Sequence, residues 1–308
     1  MRIFLTGATG HVGSAVLDAL IRGGHQVTTL VRDNEKAARV GGRGARPVVG
    51  NLADPKSYRD AADAQDGYVH AALDTATGKG PETEKIALET VIAAATRPSN
   101  TAAKRFIIFT SGMWVLGNAS EPVAENAPLN PIAMASHRPA HERMVLEAAT
   151  DRLRTIVVRP GIVYGGGSGM VGDIFRAATN GLVRVVGDGN NHWPLVYDRD
   201  LADLYAKLAV NNDASGIYHA NDEGDERVND IVSAISPYLA VRPDVRHVPI
   251  KEARTKMGPF ADALALDQMV RSPRARALGW TPTLHSVAGN AARLLEEWRT
   301  AQQASQGG

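Results

Sequence analysis

Two stretches of this 308-residue chain carry residue types at spacings that could do chemistry. The first is TGATGHVG, residues 6–13, with glycines at 7, 10 and 13. That spacing suits a pyrophosphate. Gly7 permits a sharp turn, Gly10 lets the backbone approach the phosphates, and Gly13 lets the next helix lie close to its strand. The free N–H groups and positive dipole end of that helix would then face the anion. The second stretch is PIAMASHRPAHERM, residues 131–144, with two histidines, two arginines and an internal proline, but no tyrosine, lysine or cysteine. His137 and His141 stand four apart, so one helical face could present both to a metal. Glu142 is wrongly placed for an H-E-x-x-H pair and no third ligand is evident, so no metal is expected. His137 could also serve as an acid, since imidazole titrates near neutrality; the plainer reading is a hydrogen-bonded histidine at a helix start.

The elements that must position the glycines are readable. RIFLTGATG is a short apolar strand entering a turn. HVGSAVLDALIRGG follows as a helix with Val12, Ala15, Val16, Ala19 and Leu20 on one face, closed by Gly23 and Gly24 as a left-handed cap requires. HQVTTLV is a second strand. This β-α-β unit predicts a parallel, doubly wound α/β sheet of the Rossmann type. At the end of the second strand Val31 stands where an acid would bind ribose hydroxyls, and Arg32 follows, with Lys36 within reach. An arginine there suits a 2′-phosphate, which favours NADP(H) over NAD(H). The alternative is that Arg32 is a solvated charge and Asp33 holds the ribose. Pro139 is tolerated only in the first turn of a helix, so a helix should begin near Ser136–Arg138 with Ser136 as its N-cap.

Composition bounds the rest. Thirty-four basic and 33 acidic residues leave a formal charge of +1, which argues against a nucleic-acid or membrane-surface partner. With no cysteine, disulfides and thiolate chemistry are excluded. The opening MRIFLTGATG is too short in its apolar run for a signal peptide, and no run approaches the roughly 20 residues of a membrane span, so a cytoplasmic protein is expected.

Several segments, in order, resemble the extended and atypical short-chain dehydrogenase/reductases, the NAD-dependent epimerase/dehydratase type. TGATGHVG resembles their T-G-x-x-G-x-x-G, and VVGNLAD (48–54) their V-x-G-D-L-x-D, with Asn51 at the adenine-contacting acid. YVHAAL (68–73) is similar to the strand end beside the cofactor, RFIIFTSGMWVLG (105–117) to the strand presenting a catalytic hydroxyl, and VVRPGIVYG (157–165) to V-R-P-x-x-V-Y-G. LVYDRDLADLY (195–205) and RALGWTP (276–282) match later signatures. The resemblance implies cofactor contacts from Gly7, Thr9, Gly10, His11, Val12, Arg32, Asn51, Leu52, Ala71, Ala72, Leu73, Arg138, Pro160, Gly161, Ile162 and Val163. It also implies a dinucleotide-binding domain over 1–165, with the sheet completed by about 195–220, and a substrate-binding part over 166–194 and 221–308.

The family's proton donor is a tyrosine, with a lysine four residues on. Alignment on Glu142 puts Met134 and Arg138 in those places, so the Tyr-x-x-x-Lys dyad is absent. Methionine transfers no proton, and arginine does not readily release one, though Arg138 could hold a ribose or phosphate. Gly112 falls at the catalytic hydroxyl place, and Ser111, one residue earlier, substitutes only if the strand has already ended there. Tyr164 could donate a proton, although packing is its usual role. Trp114, Met134, His192 and Trp193 are candidates for a substrate pocket. His70 is expected to be structural.

In the C-terminal part five glycines between 165 and 172 predict a loop leading to a helix. RVNDIVSAISPYL should be a helix broken at Pro237. NAARLLEEWRTAQQ should be a terminal helix burying Ala291, Leu294, Leu295 and Trp298, with ASQGG frayed. The expected activity is an NADP(H)-dependent reduction of a carbonyl, imine or activated alkene of a small molecule. The alternatives are a non-catalytic NADP(H)-binding sensor or regulator, and an isomerase or cyclase. Oligomeric state is left open; dimers are common in the resembling family, so a homodimer is one assembly the resemblance implies.

Overall fold

The structure is a computed structural model that describes residues 1–63, 65–74, 78–98 and 103–306. Strands β1 (Arg2–Thr6), β2 (Gln26–Val31), β3 (Arg46–Val49), β4 (Gly67–His70) and β5 (Arg105–Thr110) join Leu153–Pro160 and Gly216–Ala220 in one seven-stranded sheet. Its order runs Gly216–Ala220, Leu153–Pro160, β5, β4, β1, β2, β3. The pairs from Leu153–Pro160 to β3 are all parallel. Residues of β1, β4, β5 and Leu153–Pro160 are buried almost throughout, the near-continuous apolar runs that a sheet covered on both faces demands. The expected doubly wound fold is therefore what forms.

Helix α1 (His11–Arg22) crosses from β1 to β2, and α2 (Asn34–Gly41) from β2 to β3. The buried face of α1 is Gly13, Val16, Leu17, Ala19 and Leu20. Leu17 and Gly13 take the place expected for Val12 and Ala15, which are only half buried, because the helix must turn Gly13 toward the glycine turn. Gly24, at φ +74°, supplies the left-handed residue that ends α1.

By contacts the chain forms two units. The first comprises 1–111, 137–159 and 201–218, and its core includes Phe4, Tyr68, Leu88, Ile107, Phe109 and Val157. The second comprises 112–136, 160–200 and 219–308, so it includes residues 112–136 and 160–165, which the sequence division had assigned to the dinucleotide-binding part. Its main core gathers Tyr164, Phe175, Trp193, Ile231 and Leu294. Here helix Val228–Ile235 stops at a 3₁₀ turn containing Pro237, and Ser168 precedes helix Gly169–Thr179, as the glycine run predicted. Helix Ala291–Gln306 buries Ala291, Leu294, Leu295 and Trp298. It continues through the start of ASQGG, where fraying was expected; Gly307 and Gly308 lie outside the described residues. Among the described residues no helix is long and apolar enough to cross a membrane.

Candidate active site

The parallel register sets Thr6 beside Leu30 of β2 and beside His70 of β4, so three strand ends meet at one level. The strand order reverses between β1 and β4, and a crevice outside the carboxyl ends of such strands is where open α/β sheets take ligands. Thr6 Oγ1 and His70 Nδ1 are bonded at 2.8 Å across the two strand ends. Burial pushes His70 down to about 4, so it stays neutral at physiological pH, the structural histidine that was expected.

Gly7 leaves β1 at φ +82°, and a side chain there would meet the Ala71 carbonyl oxygen at 2.5 Å. A Cβ on Gly13 would lie 2.2 Å from the Gly7 carbonyl oxygen, so the first turn of α1 rests directly on the glycine turn. Gly10 caps α1 in extended conformation with no side-chain acceptor, and no acidic residue stands in the first turn. A helix start with no acidic or capping side chain suits an anion.

A cleft of about 430 Å³ opens over this turn. Of the residues expected at a cofactor, Gly7, Thr9, Gly10, Arg32, Asn51, Leu52, Ala71, Ala72 and Leu73 line it. His11 and Val12 sit in the first turn of α1 and do not line it. Pro160 ends its sheet strand and Ile162 and Val163 form the short strand Ile162–Tyr164, all with Gly161 in the second unit. Val31 and Lys36, read at the end of the second strand, line the cleft too, while Thr6, Leu30, Gly50, Asp74 and Thr83 line it without having been singled out. The first four lie in or beside the motif segments and were legible there; Thr83, from helix Gly80–Thr96, gave no signal.

At the β2 end the cleft wall carries two cations, Arg32 and Lys36. Asp33 is absent from that wall. Its carboxylate caps α2 by accepting from Lys36 N at 2.8 Å and also pairs with Lys36 Nζ. The side-chain hydrogen bond from Lys36 holds the Asp33 carboxyl below its ordinary range.

In the segment 131–144 a 3₁₀ turn at Ala133–Ala135 precedes helix Arg138–Glu147, with Pro139 in its first turn. The helix opens at Arg138, so the N-cap position falls on His137 and not on Ser136, which continues the preceding turn at φ −60°, ψ −28°; His137 is itself helical, at φ −77°, ψ −26°, and makes no side-chain capping hydrogen bond. Met134, 42% exposed, lies before the helix.

Arg138 donates to the Thr110 carbonyl at 2.6 Å and stands 3.3 Å from Glu84 Oε1. Glu84 is buried on helix Gly80–Thr96 and meets His141 Nδ1 at 2.7 Å and His137 Nε2 at 3.6 Å. Burial alone would raise the Glu84 carboxyl; the two histidines and Arg138 overcome it and hold it well below the usual range. No third partner for the two histidines was evident in the sequence, and the fold supplies Glu84.

The strand β5 ends at Thr110, so the condition for Ser111 as a substitute hydroxyl is met. Its Oγ is nevertheless buried and donates to Glu142 Oε1, which with Oε2 also accepts from Arg159. Tyr164 is fully buried in the second unit's core, 5.7 Å from the Tyr197 ring, and donates to Asp222 at 3.2 Å. Burial and the adjacent Asp222 push its phenol well above the ordinary range, which makes it a poor acid. Trp193 is a core residue whose indole N–H donates to the Leu264 carbonyl. His192 pairs with Asp267 at 2.8 Å, and Trp114 packs edge-on to Phe260.

The NAD dependent epimerase/dehydratase family model matches residues 3–220. An uncharacterized protein of Schizosaccharomyces pombe is 30% identical over 93% of this chain and 96% of its own. A 4-hydroxy-2-methyl-3-oxo-4-farnesyl-3,4-dihydroquinoline-1-oxide ketoreductase of Stigmatella aurantiaca is 25% identical over 82% of this chain and 78% of its own. Among solved structures, human epimerase family protein SDR39U1 with NADPH superimposes with a TM-score of 0.77 at 19% identity, covering 96% of this chain and 99% of that one. The UDP-glucose 4-epimerase of Thermus thermophilus with NAD gives 0.79 at 18%, covering 98% and 100%. These two likenesses are likenesses of fold.

Proposed function

The chain belongs to the NAD dependent epimerase/dehydratase family, with its short-chain dehydrogenase/reductase fold, and from that premise we propose that it is an NADP(H)-dependent reductase acting on a carbonyl, imine or activated alkene of a small organic molecule. The observation that carries the cofactor reading is the cleft wall at the end of β2. It offers Arg32 and Lys36 while Asp33 is turned to its own helix. A ribose bearing only hydroxyls gains from a carboxylate acceptor; a 2′-phosphate gains from cations. The ketoreductase among the relatives supports the reductase reading.

The residues fit a dinucleotide. Gly7, Gly10 and the amino end of α1 form the cradle for its pyrophosphate, with side chains kept out by the close approach of Ala71. Asn51 and Leu52 would take the adenine, and Ala71 to Leu73 would wall the cleft beyond it. When bound, the nicotinamide supplies hydride. The chain itself lacks the tyrosine–lysine dyad that would supply the proton. Ser111 is spent on Glu142, and Tyr164 is buried on Asp222. A substrate that accepts hydride as a cation, such as an iminium, needs no acid from the chain at that step, so this class is the first to try.

The test is NADPH oxidation across aldehydes, ketones, imines and enones. Turnover with NADPH supports the reading. Tight NADPH binding with no turnover on that panel would favour the second reading, a nucleotide-binding sensor, which Met134 and Arg138 in the dyad places support.

A further inference from the structure

We propose that Glu84, His137 and His141 form a binding site for a divalent transition-metal ion of the zinc class. The three side chains present one carboxylate oxygen and two ring nitrogens, all within 4.8 Å of one another. His137 and His141 reach it because they stand four apart at the start of helix Arg138–Glu147, and Glu84 faces them from helix Gly80–Thr96. Their rings are 5.3 Å apart and inclined at 69°.

The second observation is unmet bonding. Among the described residues His137 Nε2 and Glu84 Oε1 are buried without a hydrogen-bond partner. Arg138 lies in ion-pair range of Oε1 but is not aligned to donate to it. Two orphaned polar atoms in one buried cluster call for an ion or a water.

Donor chemistry selects the ion. Two imidazoles disfavour magnesium and calcium, and a chain without cysteine lacks the thiolates that soft metals prefer. Zinc–ligand bonds of about 2.0–2.2 Å put tetrahedral donor atoms about 3.4 Å apart. His137 Nε2 and Glu84 Oε2, at 3.6 Å, already meet that spacing. His141 Nδ1, now 2.7 Å from the same oxygen, must withdraw by about 0.7 Å to reach that separation. Arg138 opposes a cation, but as an outer partner of the carboxylate it also fixes Glu84's orientation. The His137 side chain is 19% exposed and gives the ion a way in. Three protein donors leave a coordination position open to water.

The test uses the full chain, stripped with a chelator and titrated with zinc, with cobalt(II) as a visible probe. The expected result is one zinc per chain, cobalt d–d bands of low coordination number, and a zinc-dependent rise in Tm. His137→Ala and Glu84→Gln should each weaken zinc binding on the order of tenfold or more. His137 makes no capping hydrogen bond, and His141 and Arg138 remain on Glu84 without it, so its variant should still fold, with some loss of Tm in the metal-free chain, and carries the test if the buried Glu84→Gln fails to fold. A stripped chain that takes up no zinc, or a His137→Ala chain that binds it equally well, would overturn the site. Zinc binding is read without turnover, so it stands or falls apart from the reductase reading.

Discussion

Glu142 accepts both Nε and an Nη of Arg159, at 3.0 and 2.6 Å, and its Oε1 takes the Ser111 hydroxyl as well. Both charged partners are almost wholly buried. Breaking a buried pair by removing one partner leaves an uncompensated charge and costs about 3–5 kcal/mol. Glu142→Ala should therefore lose stability of that order in urea unfolding, and a loss within about 0.5 kcal/mol, the range of an ordinary surface substitution, would show that the pair contributes nothing.

Gly13 against Gly7 gives a second expectation. The added methyl of Gly13→Ala would meet backbone atoms of Gly7 at 2.2 and 2.5 Å, and backbone does not swing aside as a side-chain tip does. Overpacking of this kind costs about 1–3 kcal/mol. The variant should melt earlier and, if the displaced turn is the proposed phosphate cradle, bind NADPH weakly. Unchanged NADPH affinity would separate the turn from the nucleotide.

Arg32 is exposed on the cleft wall. A hydrogen bond to a charged group contributes about 1.5–3 kcal/mol, so Arg32→Ala should weaken NADPH by roughly ten- to a hundredfold and leave NADH nearly unchanged. Equal losses for the two nucleotides, read by fluorescence titration, would remove the basis for NADP(H).

Asp222 carries a pH signature. Burial, reinforced by Glu226, raises its carboxyl to about 7, against an unfolded value of 3.8. Between those values the folded chain holds a proton that the unfolded chain has released, so stability falls as pH rises through that window. The loss is on the order of 4 kcal/mol at most. Asp222→Asn keeps one oxygen to accept from Gly224 N, while its amide N–H can donate to the Tyr164 hydroxyl, and it should lack that decline. Parallel stability–pH curves for the two chains would refute the assignment.

Much of the cleft over the glycine turn was legible because its makers are local. A glycine at every third position, a helix opening at once behind it and a second strand followed by Arg32 are neighbours in the chain, and their geometry follows from turn and helix rules. The helix start at Pro139 was legible for the same reason, although the cap moved one residue because Ser136 was drawn into the preceding 3₁₀ turn. Thr83 was not legible, since nothing near it in sequence marks the cleft that it lines.

The sequence by itself determined the β-α-β order, the glycine cradle, the basic end of β2 and the loss of the tyrosine–lysine dyad. Each is set by residue type and short spacing. Only the tertiary structure decided that Glu84 meets His141 across 57 positions, that Tyr164 is spent on Asp222 across 58, and that Ser111 is tied to Glu142 across 31. Those pairings depend on which strands lie side by side and how far each helix reaches over them. Local propensity does not encode such distances; the packing of the whole sheet and its helices does.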